Sequence, residues 1–140
     1  MGTSYTEYNN FGFWSNDKFL AGLLYLVQKE LKTNKPSSFL NIITEKLYDA
    51  STNEYAGCIP DYISDFDTNG KMESLRLALN IIIQNLKSEN LVILEELNSH
   101  KVGGFIWNHL AKEDLLKTTN LLLKLINGEL KTNASSIIDY

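Results

Sequence analysis

Apolar residues recur at intervals of three and four along most of this chain, which is the spacing of one face of an α-helix. The first stripe occupies 19–31 and begins soon after Asn16, a residue type that caps helix N-termini. Comparable stripes occur in 40–50, 71–86 and 113–130. A helix with an apolar stripe must bury it against another element, so the pattern predicts a bundle of helices around one core.

Two shorter segments complete the pattern. In 88–97, leucines spaced by three favour a helix, although the run 91–94 could also form a strand. We favour the helix because a lone strand would have no partner. The apolar residues of 105–110 predict another short helix. Since 140 residues is the length of one ordinary domain, we expect 1–140 to form a single all-α domain of about five to six helices.

Three segments fall outside the helical pattern: an aromatic N-terminal arm at 1–15, a long connection at 51–70 and a loose tail at 132–140. We expect Phe13 and Trp14 to pack across the bundle as a lid, whereas the two tyrosines of the arm are candidates for an interface. The aromatic residues of the arm are Tyr5, Tyr8, Phe11, Phe13 and Trp14.

Composition and charge exclude several classes of protein. The chain is 44% apolar, which excludes a disordered chain. Its net charge of -4 argues against a nucleic-acid binder, which needs a basic face to neutralise phosphates. The one cysteine, Cys58, cannot form an internal disulfide, which points to a reducing compartment. Residues 1–17 do not have the charge and hydropathy pattern of an export signal, and the apolar stretch 19–27 is too short to span a membrane. We therefore expect a cytoplasmic protein without a membrane partner.

The segment 65–70 matches the opening of an EF-hand calcium loop, which takes oxygen ligands from its first, third and fifth positions and has glycine at its sixth. The twelfth position should hold a bidentate carboxylate but is Arg76. We therefore expect the end of a loop, in which Asp67 or Asn69 caps the next helix, and no bound metal. The metal-binding alternative would use Asp65, Asp67, Asn69 and Glu73.

The chain has few candidates for catalysis. His100 and His109 are nine residues apart, which is not the i,i+4 spacing of a helical metal site. Cys58 could pair with either histidine as a nucleophile, but a lone cysteine is more often a small buried apolar residue. We expect no enzymatic activity and no cofactor.

Acidic residues are concentrated in one segment. Between Leu47 and Gly70 there is no lysine or arginine, and outside this segment acidic and basic residues nearly balance. The segment is also rich in aromatic residues, which contribute large contact areas, while carboxylates steer a basic partner. The alternative is that the aromatics fold inward and the acids are only solvated. The residues predicted to bind a partner are Glu54, Tyr55, Asp61, Tyr62, Asp65, Phe66 and Asp67.

A small, acidic, helical protein with an acidic and aromatic connection and no catalytic set resembles the bacterial immunity proteins of contact-dependent growth inhibition and related polymorphic toxin systems. The resemblance is one of overall character. It implies that the chain binds a cognate toxin domain, frequently a nuclease, in a one-to-one complex and blocks its active site or substrate surface. Two other functions are consistent with the sequence: a calcium- or metal-responsive helical module, and a cytoplasmic helical adaptor unrelated to toxins.

Overall fold

In the computed structural model, the described residues form an N-terminal β-hairpin followed by five α-helices. The structure describes residues 2–34, 40–52, 59, 61–88, 90–104, 106–108 and 112–131. The helices are α1 (Asp17–Asn34), α2 (Asn41–Thr52), α3 (Asn69–Ser88), α4 (Asn90–Ser99) and α5 (Lys112–Ile126). The hairpin consists of β1 (Thr3–Tyr8) and β2 (Phe11–Asn16), and 3-10 turns are found at Ile63–Asp65 and Val102–Gly104. The fold is mostly helical, as predicted, but the small sheet makes the prediction of a purely all-α domain wrong.

The N-terminal arm predicted at 1–15 is an antiparallel hairpin, in which Thr6 lies opposite Phe13. Its two-residue turn is Asn9–Asn10, with φ angles of 51° and 72°. A turn with both φ angles positive has the twist that joins antiparallel strands, and asparagine adopts this backbone conformation more readily than most residues. This local turn chemistry explains the hairpin. The tail predicted at 132–140 lies outside the described residues.

The two faces of the hairpin differ in burial. Thr6 and Phe13 point inward and are 3% and 0% exposed. Tyr5 and Trp14 occupy the opposite face, where both are partly exposed and their ring centroids are 5.3 Å apart. The prediction that Phe13 packs across the bundle is therefore confirmed, whereas Trp14 lies on the outer face.

Side-chain caps define where two of the helices begin. The backbone N–H of Lys18 donates to Asn16 Oδ1 over 2.9 Å, which confirms Asn16 as the cap of α1. The cap of α3 is Thr68, whose hydroxyl accepts from the backbone N–H of Lys71 over 3.2 Å. The prediction of Asp67 or Asn69 as that cap is therefore wrong, because the cap is the residue between them.

The ambiguous apolar run at 91–94 is part of α4, which confirms the helical interpretation. The short helix predicted at 105–110 is absent from its described part, 106–108. There the side chain of Asn98 accepts from the backbone N–H of Trp107 over 2.6 Å and donates to its carbonyl over 2.9 Å. Because one side-chain amide binds both backbone groups of Trp107, they are not available to a helix.

Every helix contributes to a single hydrophobic core, together with the hairpin. Gly22 of α1 lies against Trp107, so an added Cβ would be 3.0 Å from the indole ring. Burial of one large apolar side chain stabilises a fold by about 1.5–3 kcal/mol, so this core holds the hairpin against the helices. Core side chains that are 2% exposed or less include Phe13, Leu23, Leu47, Leu79, Leu97, Trp107 and Leu122.

Candidate functional site

The fold separates the acidic and aromatic residues predicted to bind a partner. Tyr62 and Phe66 are 7% and 4% exposed, so they belong to the core and offer almost no surface. Asp61 and Asp67 are exposed, and Asp65 is half-buried. Glu54 and Tyr55 lie outside the described residues. The alternative that the aromatic side chains fold inward therefore holds for Tyr62 and Phe66, the two described aromatic residues of the predicted set.

A cleft of about 720 Å³ lies between the turn of the hairpin and the segment that leads into α3. Its volume is within the range of pockets that hold small ligands or side chains. The hairpin supplies one wall of the cleft, and the 3-10 turn and the first two turns of α3 supply the rest. The lining residues are Glu7, Tyr8, Asn9, Asn10, Asp61, Ile63, Ser64, Phe66, Asp67, Thr68, Asn69, Met72, Glu73 and Arg76.

The floor of the cleft is apolar and belongs to the hydrophobic core. Ile63, Phe66 and Met72 line it and are each less than 8% exposed, as members of the hydrophobic core. Beside them the hydroxyls of Thr6 and Tyr62 form a buried hydrogen bond of 2.9 Å, which joins the hairpin to the opposite wall. Burial raises the pKa of Tyr62, so its phenol stays neutral.

Two of the four carboxylates that line the cleft are already paired with cations. Asp67 accepts from Lys71 Nζ over 3.0 Å, and this hydrogen bond, together with the charge of Lys71, holds the pKa of Asp67 below its usual value. Glu73 forms an ion pair with Arg76, one helical turn further on. The charges of these two pairs cancel locally.

The other two carboxylates, Glu7 and Asp61, have no cationic partner within the described part of the chain. Asp61 Oδ1 accepts from the backbone N–H groups of Ile63 and Ser64 over 3.0 and 3.4 Å, which orients the carboxylate at the start of the 3-10 turn. Glu7 is exposed at the end of β1. The excess negative charge of the cleft therefore comes from one residue on each wall.

Asp65 belongs to the same loop but not to the cleft. Its carboxylate lies 3.4 Å from Lys46 Nζ of α2 and does not line the cavity. Of the seven residues predicted to bind a partner, Asp61 and Asp67 therefore keep exposed carboxylates at the cleft, and Phe66 contributes only to its floor.

The four residues of the metal-binding alternative do not converge. Asp65 faces Lys46, Asp67 faces Lys71 and Glu73 faces Arg76, while Asn69 is the first residue of α3. Because the helix begins at the fifth position of the presumed calcium loop, the backbone cannot wrap around an ion there. Within the described ranges, no three His, Cys, Asp or Glu side chains are grouped closely enough to hold a metal.

The sequence interpretation overlooked Glu7, which is separated from Asp61 in the chain by β2, α1 and α2. A signal for its position was present in the Asn-Asn pair at 9–10, because asparagine tolerates the positive φ angles of a two-residue hairpin turn. The hairpin also places Glu7 on the same face of β1 as Tyr5, whose ring packs against Trp14. Among the described residues, the partly exposed aromatic pair next to Glu7 thus comes from the arm, whereas Tyr62 and Phe66 of the loop are buried.

A second group of polar side chains lies where α1, α2 and α4 meet, and none of its members lines the cleft. The hydroxyl of Tyr25 donates to Glu96 over 3.0 Å, and Lys29 pairs with the same carboxylate. The hydroxyl of Tyr48 lies 3.0 Å from Nδ1 of His100. These contacts tie α4 to the other two helices. The other catalytic candidates, Cys58 and His109, lie outside the described residues.

None of the described helices combines the length and hydropathy needed to cross a membrane. Comparison with protein-family models, with characterised proteins and with solved structures returned no match. Function is therefore inferred from the residues of this chain.

Proposed function

We propose that this protein is an inhibitor of the immunity type, which binds a cognate toxin domain in the cytoplasm and covers its basic surface. The observation that carries the proposal is the cleft, in which Glu7 and Asp61 have no cationic partner among the described residues and lie above an apolar floor. A surface that lacks its own counter-charge is complementary to a basic partner.

The expected partner is a nuclease domain, because such a domain must present basic residues to bind phosphates. The carboxylates of the cleft would occupy the positions that phosphates occupy in the substrate. Attraction between the two surfaces would accelerate their encounter and would be screened by salt over distances of about 8–10 Å.

Contact area for the complex would come from the outer face of the hairpin. Tyr5 and Trp14 are partly exposed there and pack ring to ring. Because the two aromatic rings are already held against each other, they lose little conformational freedom on binding. They replace Tyr62 and Phe66 as the proposed aromatic contacts, since those two side chains are buried.

The proposal is tested by co-expression with the polypeptide encoded beside the gene of this protein. We expect the wild-type chain to protect cells from that polypeptide and to capture it in a one-to-one complex that weakens at high salt. The double variant Glu7→Lys, Asp61→Lys should abolish both. The matched control is Glu95→Lys, which reverses an exposed charge on α4, outside the cleft.

Equal protection by the double variant, with the fold verified by circular dichroism, would contradict the assignment of this surface. Failure of the wild-type chain to capture the neighbouring polypeptide at any salt concentration would contradict the immunity function itself. Capture without a toxic phenotype would instead favour an adaptor.

A further inference from the structure

We infer that the cleft receives the side chain of an arginine from the partner, with its alkyl stem on the apolar floor and its guanidinium between Glu7 and Asp61. This inference deepens the proposed function and depends on it. It concerns which basic side chain the cleft recognises, a question that charge complementarity alone leaves undecided.

The apolar floor is the first observation that favours a long cationic side chain. A small cation has no apolar part to pack against the atoms of Ile63, Phe66 and Met72 that line the cleft, although each of these side chains is less than 8% exposed. Arginine and lysine carry three or four methylene groups that cover such a surface while the charged end reaches polar groups. The combination of a buried apolar floor and a carboxylate on each wall therefore matches an amphipathic side chain.

The acceptors around the cleft favour arginine over lysine. Glu7 and Asp61 come from separate walls, and the exposed amides of Asn9, Asn10 and Asn69 add carbonyl oxygens around them. A guanidinium has five N–H donors in one plane and can bridge two carboxylates, whereas an ammonium acts as a point charge with three donors.

Among the described residues, Arg76, which lines the cleft, and Lys71, which pairs with a carboxylate of the cleft, are both held by other contacts. Arg76 lines the cleft, but its guanidinium donates to Glu73, to Asn127 Oδ1 and to the carbonyl of Ile126. The last two acceptors lie at the end of α5, so Arg76 forms part of the wall. Lys71 is paired with Asp67. Neither side chain can swing to Glu7 or Asp61 without breaking these contacts, so neither competes with an incoming arginine.

The test is an NMR titration of the full chain with N-acetyl-arginine methylamide, monitored through backbone amide shifts. The reference probe is the citrulline analogue, which has nearly the same shape but carries no charge, and a lysine analogue is the second probe. We expect saturable shifts confined to residues 7–10 and 61–69, with a millimolar dissociation constant. Citrulline should bind at least about fivefold more weakly, and lysine about threefold more weakly.

Substitutions that remove charge but retain shape separate recognition from folding. Glu7→Gln and Asp61→Asn should each weaken arginine binding about three- to fivefold, because one charged contact is lost. In Asp61→Asn the amide oxygen would still accept from the N–H groups of the 3-10 turn, so the fold should survive. The control Glu95→Gln should bind arginine as the wild type does, since that residue lies outside the cleft.

Equal binding of citrulline, equal or tighter binding of lysine, or shifts that never saturate would each overturn the inference. Such a result would leave the immunity function intact if the charge-reversed double variant still fails to protect cells. Conversely, arginine could bind in the cleft while the wild-type chain captures none of the neighbouring polypeptide. That result would refute the proposed function but not the recognition of arginine by the cleft. The two failures are therefore distinguishable.

Discussion

The buried hydrogen bond between the hydroxyls of Thr6 and Tyr62 joins the two walls of the cleft, and its removal has a calculable cost. Thr6 is 3% exposed and Tyr62 is 7% exposed, so water has little access to either hydroxyl once its partner is gone. An unsatisfied buried polar group costs about 1–3 kcal/mol, whereas replacing both partners by apolar groups is nearly neutral.

We therefore expect Tyr62→Phe and Thr6→Val each to lower the free energy of unfolding by about 1.5 kcal/mol. For a chain of this length, 1 kcal/mol corresponds to a change in Tm of about 3–4 °C, so each single variant should melt about 5 °C lower. In the double variant the free energy of unfolding should fall by only about 0.5–1 kcal/mol, because neither hydroxyl of the pair remains buried without a partner. The coupling between the two sites is then about 2 kcal/mol.

The assay is urea unfolding of the four proteins, followed by circular dichroism at 222 nm. The matched control is Tyr8→Phe, since Tyr8 is on the same strand and no hydrogen bond of its hydroxyl is found within the described residues. That control should change the free energy of unfolding by less than about 0.5 kcal/mol. Additive effects of Tyr62→Phe and Thr6→Val would refute the reasoning, because independent losses would mean that the two hydroxyls do not depend on each other.

Two further predictions concern the helices. Gly22→Ala should lower stability by about 1 kcal/mol despite the higher helix propensity of alanine, because the new Cβ would meet Trp107 and Leu115 at 3.0 and 3.1 Å. At Gly70, a helical position, an added Cβ would have nothing within 4 Å, so Gly70→Ala should instead raise the Tm. A higher Tm for Gly22→Ala than for Gly70→Ala would contradict this packing argument. Burial works to raise the pKa of Glu96, but hydrogen bonds from Lys29 and Tyr25 outweigh it and hold that pKa below its usual value of 4.5. The resulting stability is present above pH 4.5 and is lost as the pH falls through the lowered pKa. Glu96→Gln should therefore make the Tm less dependent on pH in acid than the control Glu95→Gln does, and identical acid profiles would exclude this contribution.

The helices were predictable because each is encoded by local periodicity. In α1 the stripe at 19–31 lies on one side of the helix, and every apolar side chain of that stripe is buried or packs against the core. The same local periodicity placed α4, where leucines spaced by three and the lack of a strand partner favoured a helix over a strand. Helix boundaries were less accurate, because Thr68 and its neighbours are chemically similar as caps of α3.

The hairpin escaped prediction although its signal was local. Its strands are short, and their inward positions include Ser4, Thr6 and Ser15, which are polar but buried. A period-two pattern of hydrophobicity is therefore weak, and the Asn9–Asn10 turn was the stronger indication.

The acidic segment shows what a sequence cannot specify about a surface. Tyr62 and Asp61 are adjacent in the chain, yet one is in the core and the other is exposed at the cleft. Composition shows more acidic than basic residues in this segment, but Asp65 and Asp67 pair with lysines of α2 and α3, and burial divides the segment into residues that pack and residues that face solvent. That division depends on contacts with the hairpin, which is distant in the chain.

By itself, the sequence determined the helical character, the single core and the acidic segment, because periodicity and net charge are properties of neighbouring residues. Only the tertiary structure decided that Glu7 and Asp61 line one cleft, that Arg76 is held by the end of α5, and that Tyr5 and Trp14 pack together on the partly exposed face of the hairpin. The physical reason is that a cleft is made by elements that are distant in the chain. Its chemistry therefore depends on packing, which brings those elements together and leaves some of their charges without partners.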